Sequence, residues 1–372
     1  MKNMNIGFIG LGLIGGSIAK TMKRINKRTK IIAYNRTYSV LEAAKADGTV
    51  DIICDTVDSR FADCDYIFLC MPVSYNVKFL QKIKYIIKKD CIITDVGSVK
   101  SDIHMHVSSL DLEENFIGGH PMTGSEKTGY ENASDYLLEN TYYIITPSEK
   151  SREEDTSSYY QLVKSLGAIP IILDYKEHDY MTATVSHVPH VIASSLVNLL
   201  KHSDNSDHTM RTIAAGGFKD LTRIASGSPV MWQQICLTNS DNICMVLKEY
   251  IHSLNEIISI LSSRNEEAIF NFFKEAAQYR DSIPSAKGLL EPVYELYCNI
   301  KDETGAIATI STRLAKSNIS IKNIGIIHNR EFEHGALHIE FYDESSLHNA
   351  ILLLKEQNYT LFHESERMVV CK

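Results

Sequence analysis

Asn5-Ile6-Gly7-Phe8-Ile9-Gly10-Leu11-Gly12-Leu13-Ile14-Gly15-Gly16-Ser17-Ile18-Ala19 is the stretch from which the architecture can be read. The apolar run from Ile6 to Ile9 has strand composition, breaks at a glycine cluster, and gives way to helical spacing. Gly10-x-Gly12-x-x-Gly15 between a strand and a helix is a dinucleotide-binding fingerprint. Gly10 permits the tight turn, Gly12 lets the backbone approach a pyrophosphate, and Gly15 lets the first helix sit close to the first strand. Leu13 and Ile14, within the cluster, count among the cofactor-binding residues, and the helix that follows offers its unpaired N–H groups and positive end to the phosphates. A glycine-rich turn in some other α/β domain is the bland alternative, and the strand-then-helix context argues against it.

A chain of 372 residues is too long for one ordinary core, so two or three domains are expected. Apolar residues at 44% and charged residues at 23% are typical of soluble globular proteins. With 38 basic and 46 acidic residues the formal charge is −8, and no long basic run interrupts it, which argues against a nucleic-acid partner. The most apolar stretch, 183–200, carries His187, Pro189, His190, serines and an asparagine, so no membrane span is expected. The N-terminus enters a strand directly and does not resemble a signal peptide. The eight cysteines show no C-x-x-C pair or ligand-like spacing, which fits buried, reduced thiols in a cytoplasmic protein.

Residues 17–28 read as the first helix and 30–34 as the second strand. An Asp or Glu at the end of that strand would accept from a ribose 2′-hydroxyl, but the chain has Asn35-Arg36. Asn35 removes the repulsion a carboxylate would exert on a 2′-phosphate, and Arg36 could pair with one or stack on adenine. Further strands are expected at 52–53, 66–71 and 92–95, with a crossover helix at 77–87, giving a mostly parallel sheet. Met71-Pro72 ends one strand beside the dinucleotide. Asp95-Val96-Gly97-Ser98-Val99-Lys100 ends the next, which places Ser98 and Lys100 toward the nicotinamide region. The run Gly118-Gly119-His120-Pro121-Met122-Thr123-Gly124-Ser125-Glu126 reads as a restrained loop, without regular structure, that presents a functional group. Strands at 141–146 and 168–173 complete the domain.

From 174 to 285 the pattern is helical. Pro189 is expected to kink its helix, and His187 and His190 share a face. No carboxylate stands at matching spacing, so no metal site is expected. Gly216-Gly217-Phe218-Lys219-Asp220-Leu221-Thr222-Arg223 places Lys219, Asp220 and Arg223 at helical spacing near Trp232, the sole tryptophan. Arg223 can form a fork onto a carboxylate, or an internal pair with Asp220. Residues 282–285 read as a linker. The tail then runs strand-helix-strand-strand-helix-strand, a small ferredoxin-like unit without a nucleophile-base pair.

Together these blocks resemble the prephenate dehydrogenase (TyrA) family of tyrosine biosynthesis. The resemblance rests on the glycine cluster, Asp95–Lys100, Gly119–Glu126, Ser186-His187-Val188-Pro189-His190 and Gly216–Ile224, in order from residue 6 to about 280. It implies an α/β chain with a Rossmann-type domain over 1–174, an all-helical substrate and dimerisation domain over 175–284, and an ACT regulatory domain over 293–372. It implies oxidative decarboxylation of prephenate to 4-hydroxyphenylpyruvate, with NAD as cofactor and NADP left open by Asn35. His120 is the implied base on the 4-hydroxyl, and Ser98 is expected to bond the same hydroxyl or the carboxamide. Arg223 takes the ring carboxylate and His187 the pyruvyl arm. Ser125, Glu126, Lys219 and His190 line or support the substrate site, as do His178 and Asp179. The tail implies L-tyrosine as feedback ligand near Asp302-Glu303-Thr304-Gly305, and the helical domain implies a homodimer.

Three rivals remain at the level of sequence. Arogenate dehydrogenase differs by an amino group on the side arm. Other β-hydroxyacid dehydrogenases usually rely on a lysine of the helical domain, and the His120 block argues against them. A non-catalytic amino-acid sensor with a dehydrogenase-like shell would have no need of His120, Ser98 and Arg223.

Overall fold

The structure, a computed structural model, describes residues 4–123, 127–283, 294–300, 303–327, 336–357 and 359–362. The chain divides into two compact units, residues 1–282 and 283–372.

The first unit opens with β1 (Asn5–Ile9), α1 (Leu13–Ile25), β2 (Lys30–Tyr34), α2 (Tyr38–Ala46), β3 (Ile52–Cys54), β4 (Tyr66–Leu69), α3 (Val73–Ile83), β5 (Ile92–Asp95) and α4 (Ser101–Ser109). The five strands form one parallel sheet in the order β3-β2-β1-β4-β5, the Rossmann order. Helices cover both faces, so the central strands β1 and β4 are nearly continuous apolar runs: Ile6, Phe8, Ile9, Ile67, Phe68 and Leu69 are fully buried. The first helix starts directly at the glycine cluster, not at residue 17, and the crossover helix starts directly after Pro72, not at residue 77. In both cases a short turn, residues 10–12 or 70–72, is all that separates strand from helix.

β6 (Ile117–Pro121), β7 (Tyr142–Pro147), α5 (Glu153–Ser165) and β8 (Ile169–Ile172) add a second, three-stranded sheet, joined to the first through a bridge between Ile93 and Phe116. The expectation of an irregular run from 118 is corrected here: Gly118, Gly119 and His120 lie in β6, antiparallel to β7. The glycines serve packing. A Cβ on Gly118 would fall 2.3 Å from the Thr146 hydroxyl, and one on Gly119 would fall 2.7 Å from the Asp95 carbonyl.

His104 on α4 is packed beside this sheet, stacked on Tyr175 at 4.4 Å and bonded to the Thr146 hydroxyl at 3.0 Å. Burial, reinforced by the Lys100 cation, pushes its pKa down to about 3. The unfolded chain takes up this proton near pH 6.5 and the folded one resists it, so stability is lost as pH falls below 6.5. At pH 5 this one side chain costs about 2 kcal/mol. Thermal melts are therefore expected to drop between pH 7 and pH 5, and His104→Phe should flatten that drop. An equally steep drop in the variant would assign it to other groups.

The helices follow as α6 (Tyr175–Thr182), a π-helical turn (Ala183–His187), α7 (Val188–Ser203), α8 (Thr209–Ile213), α9 (Gly216–Thr222), α10 (Pro229–Thr238), α11 (Ser240–Ser262) and α12 (Glu266–Ser282). The π turn takes the place of the kink expected at Pro189, which falls at the start of α7 where a missing N–H is tolerated. The combined helix Tyr175–Ser203 is long and apolar enough to cross a membrane by length and composition. Yet it carries His178, Asp179 and His187 buried against the rest of the unit. Large apolar side chains along α9 to α12, including Leu221, Leu237, Ile258, Phe270 and Phe273, are exposed.

The second unit comprises β9 (Tyr294–Asn299), α13 (Ala306–Lys316), β10 (Ile321–Ile327), β11 (Ala336–Phe341), α14 (Glu344–Lys355) and β12 (Leu361–Phe362). Its sheet order is β10-β11-β9-β12 with antiparallel neighbours, the ferredoxin-like arrangement expected of the tail. Leu296, Cys298, Ile310, Leu314, Leu337, Ile339 and Leu354 form its core. In the turn proposed to hold a ligand, Asp302 lies outside the described residues, and Gly305 has φ 92°, a left-handed conformation that favours glycine.

Candidate active site

The dinucleotide cradle forms at the carboxyl ends of β1, β2 and β4. Gly10 takes φ 101° and its N–H donates to the Tyr34 carbonyl at 2.8 Å. A Cβ on Gly15 would lie 2.7 Å from the Gly10 carbonyl and 2.9 Å from Cys70 Cβ, so α1 could not approach this closely with any side chain there. A Cβ on Gly12 would meet nothing within 4 Å, and no side chain caps the helix that Leu13 and Ile14 begin. Open space before an uncapped helix start fits a pyrophosphate. Asn35 Oδ1 accepts from Leu11 N–H at 3.1 Å, and Asn35 Nδ2 donates to Thr37 O at 3.0 Å. Asn35 therefore braces the glycine turn, with exposed Arg36 beside it. The Met71 sulfur packs on Gly10, and Pro72 leads into α3.

His120, only 8% exposed, sits on β6 beside β5 and its following loop. Its Nδ1 is 2.8 Å from His178 Nε2, and His178 Nδ1 is 2.8 Å from Asp179 Oδ1. The Asp179 carboxylate also accepts backbone N–H groups from Lys100 at 2.8 Å and Ser101 at 2.7 Å, at the start of α4. Half-buried Ser98 lies two residues before this clamp. Burial holds the His120 pKa well below its usual value, helped by repulsion from His178, Lys100 and His187. The imidazole is thus neutral at neutral pH, and its Nε2 carries no hydrogen bond among the described residues.

His187 is neutral as well, its pKa lowered to about 4 by burial. Asn239 Nδ2 donates to His187 Nδ1 at 3.1 Å and to the Asp179 carbonyl at 2.8 Å, while Asn239 Oδ1 accepts from Asn242 at 2.8 Å. That fixed amide leaves the His187 proton on Nε2, so the ring is a hydrogen-bond donor. His190 stacks on Trp232 at 3.8 Å, and the Trp232 indole N–H has no partner among the described residues. Burial, then the nearby Arg223 cation, lowers the His190 pKa. Arg223 itself is exposed at the end of α9, as is Lys219 one turn earlier. Ser125 and Glu126 lie outside the described residues.

One expectation from sequence is corrected. Lys100 does not face the nicotinamide region: it is fully buried, its ammonium paired with the Asp95 carboxylate and donating to Gly119 O at 2.8 Å. Asp95 in turn accepts Gly97 N–H at 2.9 Å and Gly119 N–H at 3.2 Å. This latch ties β5 to β6 and sets the strand that carries His120. The partners missed from sequence are Asn239, whose bonds to Asp179 and His187 span many residues, and Asp95, whose pairing with Lys100 depends on how the turn between them folds.

A neutral, buried imidazole beyond strands that cradle a dinucleotide is suited to take a proton from an alcohol as it is oxidised. The class defined is that of nicotinamide-dependent dehydrogenases. Residues 18–172 match the prephenate dehydrogenase nucleotide-binding domain and residues 174–275 the prephenate dehydrogenase dimerization domain. The chain is 37% identical to the prephenate dehydrogenase of Bacillus subtilis over 338 residues, 90% of this chain and 91% of that one. It is 36% identical to that of Lactococcus lactis, over 92% and 95% of the two chains. Among solved structures, prephenate dehydrogenase from Aquifex aeolicus in complex with hydroxyphenyl propionate and NAD+ superposes with a TM-score of 0.72 at 30% identity, over 76% of this chain and 99% of that one. Arogenate dehydrogenase from Synechocystis gives 0.69 at 28%, over 75% and 99%. The chain belongs to the prephenate dehydrogenase family, NAD-dependent oxidoreductases that carry out an oxidative decarboxylation.

Proposed function

We propose that the protein oxidises prephenate to 4-hydroxyphenylpyruvate with NAD, using His120 as proton acceptor from the 4-hydroxyl. The observation that carries this reading is that Nε2 of the buried, neutral His120 beside the Ser98 loop has no partner among the described residues. The glycine turn and Asn35 would hold the dinucleotide, whose nicotinamide would supply the acceptor for the hydride from C4. Ser98 orients the hydroxyl or the carboxamide, His187 donates to the pyruvyl arm through Nε2, and Arg223 holds the ring carboxylate. Lys219, His190, Ser125 and Glu126 line the substrate region. Neutral imidazoles at positions 120 and 187, one an acceptor and one a donor, suit a substrate with both a hydroxyl and a keto acid.

The proposed domains are 1–174, 175–284 and 293–372. The exposed apolar faces of α9 to α12 support a homodimer through the helical domain. The ferredoxin-like tail supports an ACT domain that binds L-tyrosine. Buried His178, Asp179 and His187 on the helix Tyr175–Ser203 suit a core helix of a cytoplasmic enzyme better than a membrane span.

The test is a spectrophotometric assay crossing prephenate and arogenate with NAD and NADP, each with and without L-tyrosine. Prephenate with NAD should be the fastest pair, and tyrosine should slow it. Arg223→Ala should raise the KM for prephenate about 10–100-fold, the worth of a charge-assisted fork. Faster turnover of arogenate would make the protein an arogenate dehydrogenase, and an unchanged KM would return Arg223 to a structural role.

A further inference from the structure

His120 can accept a proton at Nε2 only if its own proton sits on Nδ1, and the structure contains the groups that put it there. The Asp179 carboxylate is buried, which pushes its pKa up, but bonds from His178, Ser101 and the Lys100 N–H outweigh this and hold it low. It is therefore ionised and acceptor-only. His178 Nδ1, 2.8 Å away, must be the donor. Burial keeps His178 neutral even beside that carboxylate, so its Nε2 carries no proton and must accept from His120 Nδ1. Each link fixes the next.

We infer that His178 and Asp179 are positioning residues that lock His120 in the Nδ1–H tautomer and provide a temporary store for the substrate's proton. This rests on the proposed reaction. As C4 gives up its hydride, the hydroxyl proton passes to His120 Nε2, and the Nδ1 proton can shift to His178, where Asp179 balances the new charge. Loss of CO₂ leaves its electron pair in the ring, which becomes a phenolate, and the phenolate oxygen takes the proton back from His120. A substrate dianion and an oxidised cofactor become a product monoanion, CO₂ and a reduced cofactor, so no net proton is released. The acceptor therefore needs storage and no exit to solvent. A buried imidazole-imidazole-carboxylate chain offers that. The same carboxylate clamps the start of α4 just after Ser98, so one side chain from the helical part places both groups proposed to meet the hydroxyl.

Asp179→Asn tests this. An amide cannot accept from His178, Lys100 and Ser101 as the carboxylate does; turned so that its oxygen keeps Ser101 N–H and its NH₂ donates to His178 Nδ1, it would reverse both tautomers and put the His120 proton on Nε2. We expect kcat to fall about 10²–10⁴-fold, as for a tautomer reversal in a catalytic triad. KM should stay within about threefold. Asp179→Glu should recover part of the loss. Nitrogen-15 imidazole spectra of the wild type, with the His120 signals assigned by their loss in His120→Asn, should show the Nδ1–H form. A wild-type His120 in the Nε2–H form, or Asp179→Asn turnover within threefold of wild type, would overturn the inference. The spectrum does not depend on turnover. A correct tautomer in a protein inert toward prephenate and arogenate would sink the proposed reaction and leave the lock standing.

Discussion

His120→Ala should lose about 10²–10⁴-fold in kcat, the usual contribution of a positioned general base, while dinucleotide affinity is unchanged. The ring lies on β6, apart from the glycine turn that cradles the phosphates, so removing it leaves Gly10, Gly12, Gly15 and Asn35 as they are. Alanine also strands His178 Nε2 without its donor, so His120→Asn is the sharper comparison. Its amide can still donate to His178, yet it cannot take up a proton at neutral pH. Both variants should be slow, with cofactor titration by fluorescence matching wild type. Turnover within threefold of wild type in His120→Asn would remove the base assignment.

Lys100→Met should cost about 3–5 kcal/mol, because it leaves a fully buried Asp95 carboxylate without its cation. The remaining bonds to Asp95, from Gly97 and Gly119, come from backbone N–H groups and do not cancel its charge. Gly119 O would also lose its donor. For a unit of this size the expected loss in Tm is on the order of 10 °C. Asp95→Asn combined with Lys100→Met should recover part of it, since a neutral amide keeps the backbone partners without the unpaired charge. A Tm for Lys100→Met within 2 °C of wild type would show that the pair is no latch.

The loop from Asp95 to Lys100 shows how far local pattern carries. Its position after a strand of the parallel sheet was legible, because strands that alternate with helices force that topology and the ligand lies beyond their carboxyl ends. Which side chain of the loop turns inward was not legible. Lys100 reads as a surface cation until Asp95 and Gly119, on two different strands, are seen to enclose it. The glycines at 118 and 119 misled for a related reason. Read alone they signal a loop, whereas here they allow β6 to press against Thr146 and the β5 backbone.

By itself the sequence determined the glycine turn, the strand-helix alternation, the switch to a helical region and the ferredoxin-like order of the tail. Each of these follows from backbone permissiveness and apolar periodicity, which act over a few residues. Tertiary structure alone decided the protonation pattern of the site. His120, Asn239 and the helix that carries His178, Asp179 and His187 come from distant segments, and a proton's place on an imidazole depends on which neighbour faces each nitrogen.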